Sequence, residues 1–184
     1  LAKHFIHAKS DPNSKPCMVD VVNAATRSRM MSGIQSKNTK PETVIRKGLH
    51  ARGLRYSLHS KRLPGKPDIV LPKWRVVIFV HGCFWHKHGC HLSKTPSSNT
   101  KFWTDKLAAN QRRDALVKQQ LSADGWRIAV IWECATRGKV ATGNLPDLLD
   151  RLATWIRDQA KSAALEISGA DLRGAPAADE IETR

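Results

Sequence analysis

Apolar residues recur along this chain in two rhythms. From Thr39 the rhythm is helical. Thr39-Lys40-Pro41-Glu42 has the form of a capping box, with Thr39 as N-cap and proline tolerated in the first turn. Val44, Ile45 and Leu49 then share one face, and Gly53 ends the run. Three extended stretches follow. Residues 55–59 are short, residues 68–71 come after the turn Pro64-Gly65-Lys66-Pro67, and residues 75–81 hold the apolar run Val76-Val77-Ile78-Phe79-Val80. A long helix is predicted over 100–123, with Phe102, Leu107, Leu116, Val117 and Leu121 apolar and Asp124-Gly125 as its stop. Residues 126–132 form a second strong strand, and residues 145–159 an amphipathic helix. The order α-β-β-β-α-β-α predicts an α/β domain with a mixed four-stranded sheet flanked by helices, spanning 24–160.

The ends carry less pattern. Residues 1–23 show no periodicity and read as a disordered N-terminal extension. Residues 26–34 are basic, with Met30, Met31 and Ile34 interspersed, and suit a short arm or helix. From 161 onward the chain is alanine-rich, with five acids against three bases, and reads as a flexible tail.

Charge changes the picture more than composition does. The chain is 41% hydrophobic, which fits a folded domain, and no apolar run approaches membrane-spanning length. No continuous apolar signal region opens the sequence. Between Ala24 and Arg113 nineteen lysines and arginines face three acids, Glu42, Asp68 and Asp105. One-sidedness of that degree is the electrostatic footprint of a nucleic-acid binder. Six tryptophans against one tyrosine add flat surfaces able to stack on bases.

Cysteine placement points to a metal. Cys83, His88 and Cys90 lie within eight residues, and Cys134 follows far along the chain. Two thiolates, an imidazole and a distant thiolate suit a closed structural zinc site in a reducing cytoplasm better than a disulfide scaffold. Cys17 stands apart in the N-terminal stretch. Spacing alone leaves His86 as an alternative to His88, and His91 as a further candidate. If His88 is the ligand, His86 is free to take a proton from water.

Asp68, at the entry to a strand in a basic field, is a natural oxygen ligand for magnesium; an Asx-type turn or a salt bridge is the plainer reading. Glu42 is explained by its capping box as fully as by catalysis. His81 is open between catalysis and packing. Phe84-Trp85 and Trp103 are open between core packing and an exposed wedge.

Taken in order, Glu42, Pro67-Asp68, Phe79-Val80-His81-Gly82-Cys83-Phe84-Trp85-His86, His88, Cys90, Phe102-Trp103 and Trp132-Glu133-Cys134 resemble the very short patch repair (Vsr) endonucleases, zinc-containing members of the PD-(D/E)XK nuclease superfamily. The resemblance covers about 24–159. It implies a single restriction-endonuclease-like domain that nicks the thymine strand on the 5′ side of a T·G mismatch left by deaminated 5-methylcytosine. It implies magnesium on Asp68 and the backbone carbonyl of Val80, His86 as general base, and Glu42, His81 and Asp114 in support. Val80 stands where the family often has threonine, a change that a backbone ligand tolerates. The resemblance also implies structural zinc on Cys83, His88, Cys90 and Cys134. It implies that Phe84, Trp85 and Trp103 enter the base stack from the major groove, that Met31 and, less firmly matched, Ile34 press from the minor groove, and that Lys106 and Asn110 face the mispaired bases.

Implied partners are double-stranded DNA with a T·G mismatch and mismatch-repair proteins. The implied setting is a monomer in the cytoplasm, associated with the nucleoid and not with a membrane. Two rival readings remain from the residues: a superfamily relative that cuts matched DNA in restriction or defence, and a zinc-braced DNA-binding module without catalysis.

Overall fold

The computed structural model describes residues 23–32 and 37–172, without the side chains of 24, 27, 30, 31 and 139–142. The chain divides into two units, with the boundary between Ile34 and Gln35. In the first, the basic segment forms helix α1 (Ala24–Ser32), which opens with Asn23 Oδ1 accepting from the Thr26 N–H at 2.8 Å. The Met31 side chain and the whole of Ile34 lie outside the described residues, as do 1–22 and 173–184.

In the second unit, α2 (Lys40–Ala51) starts with the capping box that the sequence predicts. Thr39 Oγ1 accepts from the Glu42 N–H, and Glu42 reaches back to the Thr39 backbone. The strands are β1 (Ser57–Leu58), β2 (Ile69–Leu71), β3 (Val76–His81), β4 (Arg127–Trp132) and β5 (Ala164–Ile167). They lie in the order β1-β2-β3-β4-β5. The first two pairings are antiparallel and the last two parallel, so the sheet is mixed. Helix α3 (Thr100–Ala123) connects β3 to β4, and α4 (Gly138–Arg157) connects β4 to β5. Both parallel pairs thus have the helical crossover that parallel pairing requires.

Alternation along the central strands builds two cores. Val76 and Ile78 face Ile45 and Leu49 of α2 and Leu148, Leu152 and Ile156 of α4. Val77 and Phe79 turn to the other face, with Ile128, Val130, Trp132 and Leu121 of α3. This period-two alternation also sends His81 to the α3 side.

Three sequence expectations need correction. The sheet has five strands, not four. The fifth lies in the stretch expected to be a loose tail, and Leu172 beyond it is buried. β5 is an edge strand of four residues, and its alternation of exposed Ala164, half-buried Leu165, exposed Glu166 and buried Ile167 is too short to stand out in the sequence. Helix α4 begins at Gly138, not near 145, and runs through Pro146. Gly138 and Gly143 weaken the local helix signal, and the helix packs on the 3-10 turn Glu133–Ala135. Finally, α3 buries only Leu107 and Leu121; Phe102 and Leu116 are exposed.

Candidate active site and metal cage

Both candidate centres gather at the C-terminal end of β3. Antiparallel pairing with β2 brings Asp68, just before β2, beside that end, and Asp68 Oδ2 accepts from the Val80 N–H at 2.8 Å. Burial pushes the Asp68 carboxyl up to about 6. The neighbouring Glu42 charge adds to the rise, while the Val80 N–H, Arg46 and His86 oppose it. A carboxylate held in that state gains from a cation more than an exposed one does.

The next residue, His81, lies face to face with His86: ring centroids are 3.7 Å apart and the planes differ by 5°. Burial, and then the His86 charge, depress His81 to about 3, so it is a neutral ring at ordinary pH. His86 Nδ1 sits 2.6 Å from Asp114 Oδ2. An ionised carboxylate only accepts, so Nδ1 carries the proton and Nε2 of the neutral ring keeps its lone pair. Burial favours the neutral acid at Asp114, but the His86 hydrogen bond and the His86, His81 and Lys118 charges outweigh it and hold the group below the usual range. The arrangement is an imidazole oriented by a carboxylate, able to take a proton from water.

On the far side of Asp68 lies a cluster that sequence reasoning missed in part. Glu42, His59 and Asp68 offer polar atoms within 4.8 Å of one another. Glu42 is almost fully buried, and its carboxylate accepts from the Asn38 N–H, the Thr39 hydroxyl and Arg46. The capping role and the site role therefore coexist in one side chain.

The second centre is the cage. Ligand atoms of Cys83, His88, Cys90 and Cys134 all lie within 4.8 Å of one another. His86 groups with His81 and Asp114 while His88 groups with the three cysteines, and His91 is exposed and outside that group. Each sulfur receives a backbone N–H: Cys134 N–H to Cys83, Leu92 N–H to Cys90 and Gly169 N–H to Cys134, at 3.4, 3.4 and 3.2 Å. Gly169 reaches that position because it has no side chain; a Cβ there would sit 2.7 Å from the Cys134 carbonyl oxygen. Burial pushes the Cys83 and Cys134 thiols up. Three thiolates aimed at one point, each with an N–H donor, fit a soft dication in a tetrahedral S₃N site, as zinc prefers.

Trp132 was also missed as a site residue. Its ring stacks on His88 at 4.1 Å and presents an edge to His81 at 5.4 Å, so it lies between the cage and the histidine pair. Register places it beside His81 on β3, and its indole N–H donates to Glu166 of β5.

The aromatic residues of the cage loop stay out of both cores. Phe84, Trp85 and Trp103 are half-buried against one another, with centroid separations of 5.0, 5.3 and 6.1 Å, and Phe102 caps Trp103 from outside. Lys106 Nζ lies 5.9 Å from the Trp85 ring centre and 5.5 Å from that of Phe102. Asn110 donates to the Trp85 carbonyl at 3.0 Å, tying the loop to α3. Among the described residues no helix is long and apolar enough to cross a membrane.

The family model described as DNA mismatch endonuclease Vsr matches residues 19–92. The DNA mismatch endonuclease Vsr of Escherichia coli is 40% identical over 157 residues, covering 84% of this chain and 99% of that protein. The type II nicking enzyme V.XorIIP of Xanthomonas oryzae is 48% identical over 117 residues, 64% of this chain and 86% of the relative. V.NmeAIP of Neisseria meningitidis, also named a type II nicking enzyme, is 42% identical over 141 residues, 77% and 99% respectively. With a relative this similar along nearly its whole length, the chain belongs to the Vsr family and is a DNA endonuclease.

Proposed function

We propose that the protein nicks the thymine strand of duplex DNA on the 5′ side of a T·G mismatch, using magnesium at Asp68 and a zinc-braced loop as its wedge. The observation that carries this reading is the convergence of Asp68, Val80, His81 and His86 at one strand end, beside a half-exposed aromatic cluster. Asp68 and the Val80 carbonyl would hold magnesium, which would supply Lewis-acid stabilisation of the leaving oxyanion. His86, oriented by Asp114, takes the proton from the attacking water through Nε2. His81 stays neutral and keeps the His86 ring in its plane. Cys83, His88, Cys90 and Cys134 would hold zinc, which would fix the loop that carries Phe84, Trp85 and His86.

Selectivity follows from deformability. A mismatched step costs less to unstack than a paired one, so a rigid aromatic wedge gains most there. Met31 and Ile34 approach from the opposite groove, and Lys106 and Asn110 meet the mispaired bases. Lysines and arginines supply salt-sensitive affinity without sequence preference. Trp85→Ala is expected to slow cleavage of T·G duplex about tenfold or more, since each lost base stack is worth ~1–3 kcal/mol, and to change matched-duplex binding much less. Equal losses on both duplexes would remove the wedge. The relatives named as type II nicking enzymes leave a matched-DNA activity as the competing outcome.

Protons and magnesium compete for Asp68. Its folded-state value, about 6, lies above the ordinary aspartate value of 3.8, so without a cation the folded protein holds this proton more tightly than the unfolded chain. That contribution to stability is fully present below 3.8 and is lost as pH rises through about 6. A cation reverses the preference. The magnesium concentration giving half-maximal cleavage is expected to climb as pH falls below about 6. A magnesium midpoint that is flat from pH 5 to 7.5 would contradict this.

A further inference from the structure

The β1–β2 ladder continues one step beyond Leu58. The His59 N–H donates to the Asp68 carbonyl at 3.3 Å, which seats the two residues opposite each other. The His59 backbone is left-handed, with φ 47°, a conformation that histidine adopts more readily than most side chains do. Arg46 Nη2 lies 2.9 Å from His59 Nε2. A guanidinium only donates, so Nε2 must accept, and the neutral ring carries its proton on Nδ1. That Nδ1 faces Asp68 Oδ1 at 4.0 Å. The other Asp68 oxygen is already held by the Val80 N–H.

Arg46 is itself fixed. Its Nη1 donates to Asn38 Oδ1 at 2.6 Å and its Nη2 to Glu42. A chain of contacts thus runs from the start of α2 through Arg46 and His59 to the Asp68 carboxylate. Both ring nitrogens of His59 are committed, one to Arg46 and one to its proton, so the ring has no lone pair left for a metal. Its Nδ1–H lies beyond direct hydrogen-bond length, 4.0 Å from Asp68 Oδ1, and acts on the carboxylate as a neighbouring dipole.

We propose that His59 is a positioning residue of the cation site, a neutral imidazole that, backed by Arg46, sets the orientation of the Asp68 carboxylate. The inference rests on the reading of Asp68 as the cation's carboxylate. Partners of this kind, one step removed from a ligand, fix its direction, and their loss typically weakens metal affinity about 10–100-fold. The glutamine side chain can reproduce the arrangement, because its carbonyl accepts from Arg46 while its amide donates toward Asp68.

The test is a calorimetric titration of Mn²⁺ into the full-length, zinc-loaded protein without DNA. Four proteins are compared: the parent, His59→Ala, His59→Gln and Asp68→Asn. Zinc content and thermal unfolding are recorded for each. Mn²⁺ binding is expected to weaken about tenfold or more in His59→Ala, to stay close to the parent in His59→Gln, and to vanish in Asp68→Asn. If His59→Ala loses zinc or cooperative unfolding, His59→Asn takes its place, and its shorter reach is expected to weaken binding likewise. Parent-like binding in His59→Ala, with loss in Asp68→Asn, would overturn the inference and leave the cation site standing. Glutamine as weak as alanine would overturn it too, by showing that the ring itself is required. Retained Mn²⁺ binding in Asp68→Asn would remove the cation site and the inference with it.

Discussion

Asp68→Asn is expected to lower single-turnover nicking ~10³-fold or more while leaving duplex affinity in the absence of magnesium unchanged. The Val80 N–H, now bonded to Oδ2, can bond equally to an asparagine oxygen, so the local fold survives. What disappears is the negative charge. Lewis-acid stabilisation of a leaving oxyanion contributes several kcal/mol, and each 1.36 kcal/mol is about tenfold in rate, which sets the size of the loss. On the proposed reading, affinity for DNA comes from lysines and arginines and not from this carboxylate. A variant that bound DNA normally and still cut at more than a tenth of the parent rate would show that the cation is held elsewhere.

Cys134→Ser is expected to empty the cage and loosen the whole loop from Gly82 to His91. Cys134 is the member of the cysteine–histidine group brought from beyond β4, and it completes a group that the short loop cannot complete alone. It also accepts the Gly169 N–H, which anchors the turn after β5. Structural zinc contributes on the order of 10 kcal/mol of binding free energy to small folded zinc modules, comparable with the ~5–15 kcal/mol total stability of a domain. A serine hydroxyl is a poor substitute for thiolate, so most of that contribution is lost. The expected readouts are zinc content near zero, a large fall in thermal midpoint and no measurable nicking. Because Trp132 stacks on His88 and borders His81, the disturbance is expected to reach the stacked His81–His86 pair. Parent-like zinc content and unfolding in this variant would contradict the cage.

What the sequence made legible was local. The Thr39–Glu42 capping box, the apolar run of β3 and the short spacing of Cys83, His88 and Cys90 each lie within a few residues, where periodicity and ligand geometry act directly. What it hid depends on register. His59 meets Asp68 only because β1 and β2 pair as they do, and Trp132 meets His81 only because β4 lies parallel to β3. β5 stayed hidden because a four-residue edge strand is too short for its alternation to stand out. Of the apolar residues of α3, only Leu107 and Leu121 are buried, and Phe102 instead joins the aromatic cluster. Glu42 shows the limit of choosing between structural and functional explanations, since its capping box and its ion pair with Arg46 use the same carboxylate.

The central claim is tested most directly by single-turnover cleavage of one strand-labelled duplex, prepared matched and with each mismatch in turn, with and without magnesium, by the parent protein and Asp68→Asn. The account predicts one nick, on the 5′ side of the thymine of a T·G pair, only with magnesium and only with Asp68 intact. Equal nicking of matched and T·G duplexes, or nicking that persists without a divalent cation, would contradict it.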